Sequence, residues 1–179
     1  MSISAKPQQK SDAQSLIQEL KLGWEEFISK KWVWVSVLQF AFVIAGMDAF
    51  IGLIGPSLSK EVLSGASYWG FIAGALGLGT LIPGVVSFKL NPKYPMRTAT
   101  FCVLFLALMP LSMPFSTSLY LMIAAPIVAG IGIEIFSVIW ISMLQFKIPP
   151  EMLSRVSAYD HIGSVSLAPL GLILAGFLY

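Results

Sequence analysis

Charge is what this sequence has least of: Asp, Glu, Lys and Arg make up 11% of its 179 residues, against about a quarter in an ordinary soluble domain. Cysteine and histidine are scarcer still, with one of each, Cys102 and His161. A single cysteine excludes an intrachain disulfide, and the pair falls short of a Cys/His metal cluster. No Walker A motif, no HExxH and no GxSxG occurs, and no GxGxxG follows a strand, so nothing signals ATP hydrolysis or enzyme chemistry. Neither an enzyme activity, a cofactor, a resident metal nor a nucleic-acid partner is therefore expected. The opening residues MSISAKPQQKSDAQ contain no apolar core and no small-residue cleavage site, so no secretory signal peptide is expected there.

What the chain has instead is apolar length. Hydrophobic residues account for 56% of it, and the mean hydropathy is +0.82. The apolar residues form runs of the roughly 20 residues needed to cross about 30 Å of hydrocarbon. Five spans are predicted, near 33–54, 67–88, 98–115, 119–146 and 156–179, separated by turn-rich segments such as GPSLSKEVLSGAS and KIPPEMLSR. The fold class expected is an all-α membrane protein, a polytopic bundle of about five transmembrane helices, because backbone groups in lipid must be satisfied within helices. Pro110 and Pro114 are expected to kink or end the third span early.

The basic residues give an independent reading of the same plan. Apart from Lys60, every Lys and Arg falls in the amino-terminal segment or in the second and fourth loops. The positive-inside rule then places the N-terminus in the cytoplasm of a cell with this chain in its inner (plasma) membrane, and five spans place Tyr179 on the opposite face. Two regions are expected: a cytoplasmic amphipathic juxtamembrane segment over 1–31, and a transmembrane bundle over 32–179. In the first, Ser11 and Gln14 have capping-box spacing, and Leu16, Ile17, Leu20, Trp24, Phe27 and Ile28 recur at helical period. This helix suits either the membrane surface or packing on the protein itself.

Polar residues inside the spans are the functional candidates, since an intramembrane charge costs about 2.5–3.5 kcal/mol on insertion scales. Asp48, in IAGMDAFIG, and Glu134, in AGIGIEIFSVIW, fall near mid-span. A carboxyl there can stay neutral by desolvation and release its proton when water or a cationic substrate arrives, or it can simply tie helices together. Gln39 and Gln145 can line an aqueous cavity or hydrogen-bond between helices. Trp69, Trp140 and Tyr120 read as interfacial anchors or packing groups. Gly70 and Gly74 form GxxxG, extended by Ala75 and Gly79, and suit an intramolecular helix seam.

The stretch SRVSAYDHIGS carries the lone histidine beside Asp160. Ser157 and Asp160 have capping-box spacing, which places Asp160 and His161 in the first two turns of the last helix, near the inner interface. Histidine is the side chain that changes charge most readily near neutral pH. Arg155, Asp160 and His161 are therefore candidates for a cytoplasmic gate, with an interfacial structural role as the alternative.

Three passages resemble a known family. LIQELKLGWEEFISKKWVW is similar to the end of the central cytoplasmic loop leading into the seventh helix of a major facilitator superfamily transporter. IGPSLSKEVLSGASYWGFIAGALGLGTLIPG resembles its seventh-to-eighth helix passage, and WISMLQFKIPPEMLSRVSAYDHIGSVSLAPLG its tenth-to-eleventh. The resemblance covers nearly the whole chain and looks like the C-terminal half in the bacterial drug-efflux and siderophore-export branch. One departure is plain: in the loop between the eighth and ninth helices, Gly84, Lys89, Lys93 and Arg97 fit the family's pattern loosely, while Phe88 stands where its aspartate is expected.

The resemblance implies proton-coupled efflux (antiport) of a small amphiphilic molecule, with protons and lipid as the other partners. A complete transporter of this kind binds substrate between two six-helix halves. This partial major facilitator half is thus expected to be a remnant, or a subunit completed by a separate N-terminal half. A non-transporting membrane assembly or accessory protein is the other class the sequence allows.

Overall fold

The computed structural model describes residues 9–62, 66–86, 92–115 and 119–178. Its elements are α1 (Gln9–Ser29), α2 (Lys31–Ala49), a π-helical turn (Phe50–Ile54), α3 (Gly55–Val62), α4 (Ala66–Val86), α5 (Pro95–Val103), a 3₁₀ turn (Leu104–Ala107), α6 (Leu108–Phe115), α7 (Leu119–Lys147), α8 (Pro150–Val165) and α9 (Ala168–Leu178). No strand occurs among the described residues. Among the described residues, four helical stretches are long and apolar enough to cross a membrane: Lys31–Glu61, Pro95–Met113, Tyr120–Lys147 and Pro150–Leu178. The fold is an all-α membrane bundle. The 21 apolar-rich residues of α4 occupy the second predicted span; positions 87 and 88, and with them the family-loop position Phe88 and Lys89, lie outside the described residues.

Proline explains where the helices depart from regular geometry. Pro56 offers no N–H and would crowd the carbonyl four residues back. The π turn over Phe50–Ile54 widens the backbone just before it, so the first helix runs on to Val62 instead of ending near 54 as the glycine and proline at 55–56 predict. Pro110 is met by the 3₁₀ turn at Leu104–Ala107, and the chain stays helical to Phe115. Pro169 follows a break at Ser166–Leu167, where the Ser166 hydroxyl and amide both donate to the Gly163 carbonyl, at 2.7 and 3.4 Å.

Two capping expectations are corrected. Ser11 lies inside α1, not before it. The last span opens at Pro150, with proline pre-set for a first helical position. Asp160 therefore stands about 15 Å along the helix from its start, too deep to cap it.

In lipid, helices associate through close packing, not through apolar burial, so small residues decide the seams. The α4–α7 seam is built on Gly79 and Gly130: a Cβ at Gly79 would strike the Ile127 backbone, and one at Gly130 the Leu76 carbonyl. At Gly132 it would strike the Cys102 carbonyl of α5, and at Gly171 the Ala45 carbonyl of α2. Gly70 and Gly74, by contrast, face open space. The intramolecular seam thus uses the Ala75/Gly79 side of α4, and the GxxxG pair points outward. α7 is the central helix for α4, α5 and α6, while α2 packs on α8 and α9. The two groups meet through Phe40–Phe136, with ring centroids 4.1 Å apart, and Trp32–Trp140, at 5.5 Å.

α1 leaves Ile17, Leu20, Trp24 and Ile28 exposed and buries Phe27. It is held on α8 by a 3.5 Å Arg155–Glu19 ion pair and by the Tyr159 hydroxyl, which donates to the Leu20 carbonyl at 2.9 Å.

Candidate functional site: a carboxylate cavity between α2, α7 and α8

Helical spacing puts one polar pocket where the two helix groups meet. Ser36, Phe40 and Ile44 repeat every four residues down α2, Phe136, Ser137 and Trp140 share a side of α7, and Asp160 and Ser164 are one turn apart on α8. Together with Val37 and His161 they line a cavity of about 280 Å³, at the small end of ligand sites.

Asp160 is its chemical centre. The indole N–H of Trp140 donates to one carboxylate oxygen at 2.9 Å, and the Ser164 hydroxyl donates to the other at 3.4 Å. Trp140 is 8% exposed and Ser164 9%, so both donors are themselves fixed. A carboxylate offers about four acceptor positions, and two are used, which leaves acceptor capacity for a molecule in the cavity. Phe136 stacks on Trp140, centroids 6.1 Å apart and planes 16° apart, and continues the aromatic wall to Phe40.

The sequence candidates separate clearly. Asp160 and His161 both line the cavity; His161 is exposed. Asp48 lies one helical turn beyond Ile44 on α2, and Glu134 one turn before Ser137 on α7, so both stand a turn deeper along the lining faces. Neither makes a hydrogen bond or ion pair among the described residues. Asp48 is exposed and Glu134 half-buried. Gln39 and Gln145 are exposed, again without a hydrogen bond among the described residues, and they do not reach the cavity. Arg155 engages α1 through Glu19 instead of Asp160.

Sequence reasoning missed Trp140 as a partner. It reads as an interfacial ring, yet it is buried and is the strongest hydrogen-bond donor to Asp160. The available signal was the need of a buried indole N–H for an acceptor. Ser164 was also legible, one turn after Asp160.

The chain is similar to an "uncharacterized MFS-type transporter YfmI" of Bacillus subtilis (strain 168), 33% identical over 84 residues. The match covers 46% of this chain, and the chain spans about a fifth (20%) of that relative's length. No family model matches the chain, and no solved structure matches it.

Proposed function

We propose that this chain is part of a major-facilitator-type membrane transporter and carries a small amphiphilic molecule outward in exchange for protons, as part of the drug-efflux and siderophore-export branch. The observation that carries the reading is a half-buried carboxylate lining a cavity between three helices of a membrane bundle, in a chain partly similar to an MFS-type transporter. Intramembrane acids are expensive and mark substrate or proton pathways. Asp160 and His161 are the residues at the cavity, Asp48 and Glu134 the proton-coupling candidates a turn deeper, and Gln39 and Gln145 secondary candidates for an aqueous path.

In this reading the chain sits in the inner (plasma) membrane with α1 on the cytoplasmic surface, its exposed Ile17, Leu20, Trp24 and Ile28 turned to lipid. The bundle forms one wall of a central path, and the helices of an N-terminal half complete it. The chemistry asks for neither an enzyme step nor a cofactor.

The test is efflux from cells expressing the chain with and without a candidate N-terminal half, using dyes and siderophores. Energy-dependent efflux that falls at least tenfold in Asp160→Asn supports the proposal. Equal efflux from the parent, Asp160→Asn and the Asp48→Asn/Glu134→Gln double variant defeats the assignment of the coupling residues. No efflux in any combination favours the alternatives, a non-transporting assembly or accessory protein or an inactive transporter remnant.

A further inference from the structure

We propose that the α2–α7–α8 cavity binds a small organic cation, its ammonium group paired with Asp160 and its apolar body against Phe40 and Phe136. The inference deepens the transport reading, on which its description of the cation as cargo rests; binding itself stands on the geometry alone.

Four observations point the same way. First, the groups that hold Asp160 are neutral: an indole N–H at 2.9 Å and a hydroxyl at 3.4 Å fix the carboxylate without cancelling its charge. Second, no Lys or Arg lines the cavity, and Asp160 has no salt bridge among the described residues. A carboxylate drawn partly out of water is costly until a counter-charge reaches it. The one basic group at the site is His161, exposed and next to Asp160 on α8.

Third, apart from its serines and His161 the rest of the lining is apolar and aromatic, with Val37, Phe40, Ile44 and Phe136 beside the carboxylate. Such a lining suits the apolar body of an organic cation and excludes water from beside its charge. An anion would be repelled by the Asp160 charge, and a neutral donor would gain a hydrogen bond from it but no ion pair. Fourth, about 280 Å³ is enough for a compact ammonium with one ring or a short alkyl body.

The test uses the full chain in lipid nanodiscs, titrated with benzyltrimethylammonium and benzylammonium and followed by tryptophan fluorescence and calorimetry. Neopentylbenzene, which has the shape of benzyltrimethylammonium without its charge, is the neutral comparator. Saturable binding of the cations is expected, at least tenfold weaker in Asp160→Asn, where an amide oxygen still accepts from Trp140 and helicity is retained. Glu61→Gln, an equal change of charge outside the cavity, should bind like the parent.

The proposal is overturned if the parent shows no saturable response, if Asp160→Asn at parental helicity binds as tightly, or if the neutral comparator competes as well as the cations. A proton as the sole occupant of Asp160 gives the first of these results. Cation binding without transport refutes the transport reading alone, and efflux of neutral amphiphiles without cation binding refutes this inference alone.

Discussion

At the scale of single residues, Asp160 shows how a neighbour in space outranks a neighbour in sequence. Ser157 stands three residues before it and suggests a cap; Trp140, on another helix, holds it at 2.9 Å. Trp140→Phe keeps an aromatic ring beside Phe136 and removes the N–H together with part of the indole, so the lost hydrogen bond sets the lower bound of its cost. A hydrogen bond to a charged group contributes about 1.5–3 kcal/mol, so thermal unfolding in detergent should show a loss of at least that order. An unchanged midpoint would mean that the bond is not made in the protein. Arg155 makes the opposite case. Its pair with Glu19 is partly exposed, with side-chain exposures of 29% and 50%, and such pairs contribute about 0–1 kcal/mol. Arg155→Ala should therefore leave the unfolding midpoint nearly in place.

Among the helices, contact is governed by which glycines meet backbone. Gly79→Ala would place a methyl group on the Ile127 backbone, which cannot rotate away as a side chain can, at a cost of about 1–3 kcal/mol. Gly74→Ala meets nothing and, with the better helix propensity of alanine, should be neutral or slightly stabilising. Urea or heat unfolding of the two variants side by side checks this, and equal effects would place the α4–α7 seam elsewhere. Both glycines belong to one small-residue run, GFIAGALGLG, and its text gives no means of choosing between its faces. The π turn was similarly hidden. Pro56 was visible, but whether a helix ends at a proline or widens ahead of it depends on what lies beyond. Here α3 packs on α4, with Gly55 against the Trp69 ring.

The whole molecule is where the expected topology can be checked. With Cys102→Ala as background, single cysteines at Tyr94, Glu151 and Tyr120 should divide under an impermeant maleimide in intact cells: position 120 labels, and 94 and 151 label only after permeabilisation. Labelling of 120 and 151 together would break the five-span order. Charge distribution predicted those sides without a structure, because positive residues are held on the cytoplasmic side during insertion whatever the helices later do.

Composition and run length by themselves determined that this is an all-helical membrane protein. Hydrocarbon offers no partner for a backbone N–H or C=O, so an apolar run of that length has one economical way to fold, and that choice is local. Local order also put Phe136 beside Trp140 and Asp160 beside Ser164, one turn apart on their own helices. Only the tertiary structure decided that these pairs and Phe40 line a single cavity, and that Gly79 and not Gly74 makes the seam. Those facts depend on the rotation and register of helices far apart in the chain, set by backbone-to-backbone contact and by one indole N–H that needed an acceptor. No window of the sequence contains both partners.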